Sequence, residues 1–428
     1  MTYIDPRIRR RLSQTARLVP ALVLFACIEF KDADTEKTTA SDSAAAAPVT
    51  FDPNDISAPS YESFALDTAG TGERLARLSR YDSSFKRISP ATAAASIGRF
   101  PASIPPQGPA TLHIQILLDR AGFSPGILDG GWGDNAAHAL KWFRVANGID
   151  TASAGSTDSS AALDEATYQR LTAATGSAPV MTHYIVTAED LQGPFVQIPE
   201  RVYDQAELPC MCYSTPAEAI AERFHTSEKV LAQLNPRVQM ASLRTGARLM
   251  VPNVAEDDGT PPRSPADTSR SSDSAAQRAG PSRDTAARQA SGAIARLIVS
   301  RTGFWLHAVD ASGKVLYHFP STLGAGYDPS PTGDYRITNI AQDPTFHYQP
   351  KLFAEVSDDK PEARLPKGPN SPVGVVWMAI SKPHYGIHGT SAPETIGYEN
   401  SHGCVRLTNW DARKLSRLVS AGTPVEFQ

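Results

Sequence analysis

The chain is poor in cysteine, in charge of one sign and in long apolar runs. It has four cysteines among 428 residues, at Cys27, Cys210, Cys212 and Cys404. So few exclude a small disulfide-stapled scaffold, and no second Cys/His pair stands near Cys210 and Cys212 to build a zinc ribbon. The formal charge is only −4, which excludes the basic footprint of a nucleic-acid-binding protein. The apolar run from Leu18 to Ala26 is too short to span a bilayer as a helix, which takes about 20 residues. No glycine loop cradles phosphate, so nothing points to a nucleotide.

What is present divides the chain into six parts. Residues 1–26 begin with Arg7, Arg9, Arg10, Arg11 and Arg17 and pass into that short apolar run, the layout of a secretory signal. The run ends Leu24-Phe25-Ala26-Cys27, which resembles a bacterial lipoprotein cleavage box with Cys27 as the lipidated residue; cleavage by the ordinary signal peptidase also fits. Residues 1–26 carry five Arg and one Asp, so their removal takes the formal charge from −4 to −8. Residues 27–100 are mostly small and polar and read as a largely disordered tether, with one helix expected around residues 72–81. Residues 255–292 read as a second disordered linker. Export would place the protein in the periplasm or cell envelope.

Between the linkers, residues 101–176 carry helical apolar spacing around Leu112, Ile116 and Leu117, with Gln115 as a polar break. A glycine-rich turn follows, then a helix with Ala137, Leu140 and Phe143 on one face, then a short helix at 163–171. The runs "LDGGWGDNAAHALKWF" and "LDEATYQRL" resemble the type 1 peptidoglycan-binding module, a small three-helix domain. Residues 181–254 read strand, helix, helix, strand, with Thr226 expected to cap the second helix. The "LNP" turn and "LRTGARLMVP" resemble a lysin motif (LysM), a βααβ glycan-binding module, here degenerate and interrupted by an insertion at 191–213. Two cysteines one residue apart, Cys210 and Cys212, rarely meet disulfide geometry, so no bond is expected between them.

Residues 293–428 turn strand-like, with short apolar runs split by turns at 301–303 and 311–313. A final helix follows Thr408, its stripe formed by Trp410, Leu415, Leu418 and Val419. Within this part lies "YGIHGTSAPETIGYENSHGCVRL". A free thiol has a pKa of about 8.5, so a nucleophilic Cys404 needs a base. His402 is too near along the chain for its ring tip to meet the sulfur well. His388 lies across a loop joining two strands, and a fold-back sets it opposite Cys404. Glycine at 403 lets backbone N–H groups approach a carbonyl oxygen, and such donors are worth roughly 2.7–4 kcal/mol each. The carbonyl of Gly389 can fix the tautomer of His388. His384 and His388 have the i, i+4 spacing of helical zinc motifs, but Pro383, Gly386 and Gly389 argue against a helix, so no metal is expected. His307, His318 and His347 read as packing or surface residues.

These residues resemble the active-site signature of the L,D-transpeptidase catalytic domain: His-Gly, a loop, then Ser-His-Gly-Cys. "SPTGDYRI" is similar to the strand entry of the same family. The resemblance implies Cys404 as nucleophile and His388 as base. It implies Gly389, His402 and Gly403 as parts of the catalytic site, and Ser401, Arg406 and Tyr385 as substrate-binding residues. It also implies a multidomain α+β chain with a β-rich catalytic domain and no cofactor. The expected reaction is acyl transfer from a peptidoglycan tetrapeptide stem through a thioester to a neighbouring stem. Water or an envelope protein lysine would use the same site. The rivals are a non-catalytic wall-binding protein and a papain-like peptidase, whose Cys would open a helix and precede its His.

Overall fold

The computed structural model describes residues 102–149, 162–255 and 294–428, apart from a few positions inside those spans. The signal, the tether, the second linker and Cys27 lie outside the described residues.

The first part holds β1 (Ala102–Ser103), α1 (Pro109–Arg120), α2 (Asp134–Ala146), β2 (Ala162–Leu163) and α3 (Glu165–Thr175). Proline occupies the first position of α1, where a missing N–H costs nothing. Almost every residue of α1 is buried, polar ones included. Gln115, the polar break in the apolar spacing, is therefore buried with the rest. Its amide donates to Asp129 Oδ1 and Gly131 O at 2.9 Å, and its Oε1 accepts from Gly130 N at 2.8 Å, which pins the glycine-rich turn. Asp164 caps α3, accepting from Thr167 N at 2.7 Å, so this helix starts two residues later than the apolar pattern predicts.

The second part runs β3 (Met181–Ile185), α4 (Val202–Ala206), α5 (Pro216–Arg223), α6 (Glu228–Leu234) and β4 (Arg248–Pro252), with β3 and β4 antiparallel. Thr215 and Ser227 cap α5 and α6. The expected cap Thr226 instead donates its hydroxyl to Leu128 O at 2.6 Å, joining this part to the glycine-rich turn. Apolar side chains from Ile104 through Val254 form one continuous core. A second correction concerns Cys210 and Cys212, which form a disulfide. The bend lets Met211 pair on both sides with the last part: Met211 N donates to Lys367 O and Met211 O accepts from Asn370 N. The insertion thus docks a segment that the sequence leaves unexplained.

The last part contains β5 (Arg296–Ser300), β6 (Trp305–Val309), β7 (Val315–Pro320), β8 (Leu323–Gly324), β9 (Gly333–Gln342), β10 (Phe346–Tyr348), β11 (Ala363–Leu365), β12 (Val376–Ile380), β13 (Gly386–His388), β14 (Asn400–Ser401), β15 (Val405–Arg406), α7 (Asn409–Leu418) and β16 (Pro424–Phe427). Eight strands form one sheet in the order β15-β13-β12-β9-β16-β5-β6-β7. Alternation sends Leu297, Val299, Leu306, Ala308, Val425 and Phe427 into one core, which α7 covers with Ala412 and Leu415. The β6–β7 turn is an Asx turn: Asp310 Oδ1 accepts from Ser312 N and Lys314 N. Strand β7 would be an exposed edge, but residues after α1 cover it. Ser124 N donates to His318 O and His318 N to Gly122 O, at 2.9 and 3.0 Å.

Candidate active site

The site is built on β13 and β15, which run parallel with Ile387 opposite Val405 and His388 opposite Arg406. Side chains alternate across a sheet, so Ile387 and Val405 enter the core. Cys404, Arg406, Gly386 and His388 share the other face by the same alternation. Extending the register by one residue sets Gly386 beside Cys404, where the Gly386 N–H favours the thiolate. His388 and Cys404 are thereby diagonal neighbours on one face, offset by about 6.6 Å along the strands at about 3.3 Å per residue. This is the fold-back that the sequence implies.

Each member is held by identifiable partners. His388 is buried, lies over Trp377 and bonds through Nδ1 to Gly389 O at 2.7 Å. A ring nitrogen facing a carbonyl must carry the proton, so Nε2 holds the lone pair. Among the described residues no group hydrogen-bonds to Nε2. The Cys404 thiol donates to His384 O at 3.8 Å, and His384 has a positive φ of 67°. Ser401 Oγ donates to Cys404 O at 2.6 Å and braces the turn from inside. Gly403 has φ 89°, and a Cβ there would lie 2.5 Å from Tyr385 Cε1. Glycine is needed at 403 both for its backbone conformation and for the ring packed against it. Among the described residues neither the Gly403 nor the Cys404 amide has a backbone acceptor.

Burial sets the charge state. It pushes the Cys404 thiol up to about 11, against the pull of the Gly386 N–H and the Arg406 guanidinium. It pushes His388 down to about 3, and the neighbouring Arg406 charge acts the same way. The resting pair is therefore neutral thiol and neutral imidazole, not an ion pair. Burial also raises the Tyr385 hydroxyl, followed by the charge of Asp328. Lys382 Nζ lies 4.3 Å from the Tyr385 ring centroid.

The other predicted residues fall around this pair. The His402 ring meets Phe353 at 4.8 Å, and Phe353 in turn meets Tyr348 of β10 at 5.1 Å, so His402 contacts the segment between β10 and β11. Arg406 exchanges both backbone bonds with Thr322. His307 and His318 are buried and bonded to each other at 2.9 Å, while His347 is exposed and meets Glu362. A cleft of about 260 Å³ lies between the glycine-rich turn and residues 393–398, and its lining includes neither Cys404 nor His388. Residue-type reasoning misses Ser330, whose hydroxyl accepts from Gly324 N at 2.8 Å and donates to Gly403 O at 2.9 Å. It also misses Trp377 and Asn409. The "SPTGDYRI" run is the only signal that marks Ser330.

Residues 294–427 match the family model for YkuD, the L,D-transpeptidase catalytic domain. Over these residues the chain is similar to that family, a class of enzymes. Among individual relatives, a protein carrying the L,D-transpeptidase name, YkuD of Bacillus subtilis, is 26% identical over 207 residues, covering 48% of this chain and 90% of the relative. YbiS of Escherichia coli, under the same name, is 41% identical over 86 residues, covering 20% of this chain and 28% of YbiS. The YkuD match is longer than the family domain, so the likeness takes in residues before 294. Among solved structures, L,D-transpeptidase 3 from Mycobacterium tuberculosis aligns at 20% identity with a TM-score of 0.25. An L,D-transpeptidase from Mycobacterium smegmatis aligns at 22% with a TM-score of 0.26. The chain covers 60% and 59% of those two molecules, and they cover 31% and 32% of this one.

Proposed function

We propose that the chain is a cysteine-dependent L,D-transpeptidase that cross-links peptidoglycan. The observation that carries this reading is the His388–Gly389 bond, which turns the basic nitrogen Nε2 out from a face that it shares with Cys404. The thiol proton passes to His388 Nε2 as the sulfur attacks the carbonyl of the third residue of a tetrapeptide stem. The Gly403 and Cys404 amides receive the developing oxyanion. The amine of the terminal D-alanine takes the proton from His388 and leaves, and a thioester remains on Cys404. An amine of a neighbouring stem then attacks the thioester, releases the thiol and forms a 3→3 cross-link. The cleaved amide supplies the energy, so neither ATP nor a metal enters the scheme. Because both groups rest neutral, charge separates only as the proton moves, and Gly386 N–H and Arg406 stabilise the thiolate as it forms.

Arg406, Ser401 and Tyr385 bind or frame the stem in this reading, and His402 shapes the entrance. Residues 101–176 and 181–254 are read as peptidoglycan-binding and LysM-like modules. Residues 1–26 are read as an export signal, with Cys27 lipidated, which places the enzyme in the cell envelope. The test has two arms. Intact-mass analysis with a carbapenem is expected to give a covalent adduct that Cys404→Ala abolishes. Sacculi incubated with the protein are expected to gain 3→3 linked muropeptides. Tetrapeptides trimmed to tripeptides, or stems attached to protein lysine, would instead identify water or protein as the acceptor. Full turnover by Cys404→Ala would sink the proposal.

A further inference from the structure

Asn409 opens α7 with 0% of its surface exposed. Its side chain bonds to three separate segments. Oδ1 accepts from Val375 N at 3.2 Å, and Nδ2 donates to Pro369 O at 3.2 Å. Nδ2 also lies 3.1 Å from each carboxylate oxygen of Glu222. Glu222 belongs to α5, 187 residues away in sequence, in the part between β3 and β4 that precedes the catalytic sheet. It is itself buried and accepts from the Tyr213 hydroxyl at 2.8 Å.

These partners dictate one orientation of the amide. A carboxylate only accepts and a backbone N–H only donates. Were the amide reversed, Oδ1 would face the Glu222 carboxylate and Nδ2 would face the Val375 N–H, a mismatch at both ends. In the observed orientation Oδ1 presses on Gly389. A Cβ placed on Gly389 would lie 2.2 Å from Asn409 Oδ1, and one placed on Gly374 would lie 2.0 Å from it. Asn409 thus fills the space behind the peptide whose carbonyl holds His388 Nδ1. Leu407, two residues before Asn409, donates its N–H to His388 O at 2.8 Å, so the same short segment holds the histidine backbone.

We infer that Asn409 is a positioning residue for His388 and that Glu222 fixes its amide, so that the part between β3 and β4 completes the catalytic site. The inference rests on the reading of His388 as the base. It gives that part a task beyond holding the enzyme on its polymer. Glu222 contributes an acceptor, Asn409 converts it into a fixed Gly389 peptide, and that peptide keeps the proton on Nδ1.

The test uses the exported chain labelled with 15N at histidine. In the parent protein His388 is expected to show the Nδ1–H tautomer. Glu222→Leu removes the acceptor and keeps the volume. It is expected to mix the His388 tautomers and to slow acylation of Cys404 by a carbapenem roughly tenfold to a hundredfold, as loss of an outer orienting partner does elsewhere. Glu222→Gln keeps an acceptor oxygen and is expected to restore most of both. Tyr213→Phe perturbs Glu222 more gently and is expected to shift the tautomer in the same direction, which serves if Glu222→Leu does not fold. An unchanged His388 tautomer in folded Glu222→Leu or Tyr213→Phe overturns the inference, as does slowed acylation with the tautomer intact. Failure of the underlying reading is separable: it appears as adduct formation in Cys404→Ala, whatever the tautomer does.

Discussion

Replacing Asp411 by Asn is expected to stabilise the protein at neutral pH. Asp411 sits in the first turn of α7 with almost no exposed surface, and its Oδ2 accepts from Ser124 Oγ at 2.7 Å. Nearby, Asp119 of α1 bonds to His225 Nδ1 at 3.2 Å, and Lys414 donates to Asp119 O at 3.4 Å. Burial first, and then the charge of Asp119, raise Asp411 from 3.8 to about 6. At about 1.36 kcal/mol per pKa unit, keeping Asp411 ionised inside the fold above pH 6 costs about 3 kcal/mol. The favourable interaction of its charge with the start of α7 offsets about 0.3–1 kcal/mol, leaving about 2. The sign follows from linkage. A carboxyl with a raised folded pKa contributes stability that is fully present below its unfolded pKa of 3.8 and lost as pH rises through about 6. Asp119, held below the ordinary range, has the opposite slope, and it is common to parent and variant. The difference between the two proteins therefore reports Asp411 together with its coupling to Asp119. Urea unfolding can be followed by tryptophan fluorescence, since Trp410 stacks on His225 at 5.1 Å beside this cluster. The Asn variant should gain about 2 kcal/mol at pH 8 and nothing at pH 4. A variant less stable at pH 8, or an advantage independent of pH, would refute the reasoning.

Other outcomes follow from the same geometry. Gly403→Ala should cost at least tenfold in acylation rate, because it must adopt φ 89° and displace the Tyr385 ring; carbapenem adduct kinetics measure it, and near-parent rates would show that the turn tolerates a side chain. The rate of acylation should form a broad plateau across the neutral range, with no acid limb at pH 6–7, since His388 lies near 3 and Cys404 near 11. A sharp limb at pH 6–7 would mean an ordinary imidazole. Ser330→Ala leaves Gly324 N without its acceptor and Gly403 O without its donor in a buried site. It should destabilise by about 1–3 kcal/mol in denaturant melts and slow acylation; unaltered values for both would remove Ser330 from the site.

Much of the catalytic part is readable from local pattern. The turns at 301–303 and 311–313, the alternation of β5 and β6, and the Thr408 cap of α7 each depend on residues within a few positions of one another. The pairing of His388 with the strand of Cys404 is likewise implied by one loop between two short strands. Reading goes astray where a polar residue finds a distant partner. Gln115 looks like a mere polar break, yet its partners lie in the next turn. Thr226 looks like a cap, yet it bonds to Leu128. Cys210 and Cys212 look too close to pair, yet the bend between them presents Met211 to the 367–370 segment.

The sequence by itself marked Cys404, His388 and the glycines around them as a candidate site, because the proposed chemistry demands particular residue types at short spacing. Only the tertiary structure decided which charges those groups carry and what holds them. Desolvation is a property of the packed surroundings, so a neutral Cys404 follows from burial against the pull of Arg406, and a neutral His388 from burial together with Arg406, not from their order in the chain. The Glu222–Asn409 contact spans 187 residues and leaves no periodic trace, since hydrogen-bond partners are chosen by proximity in the fold.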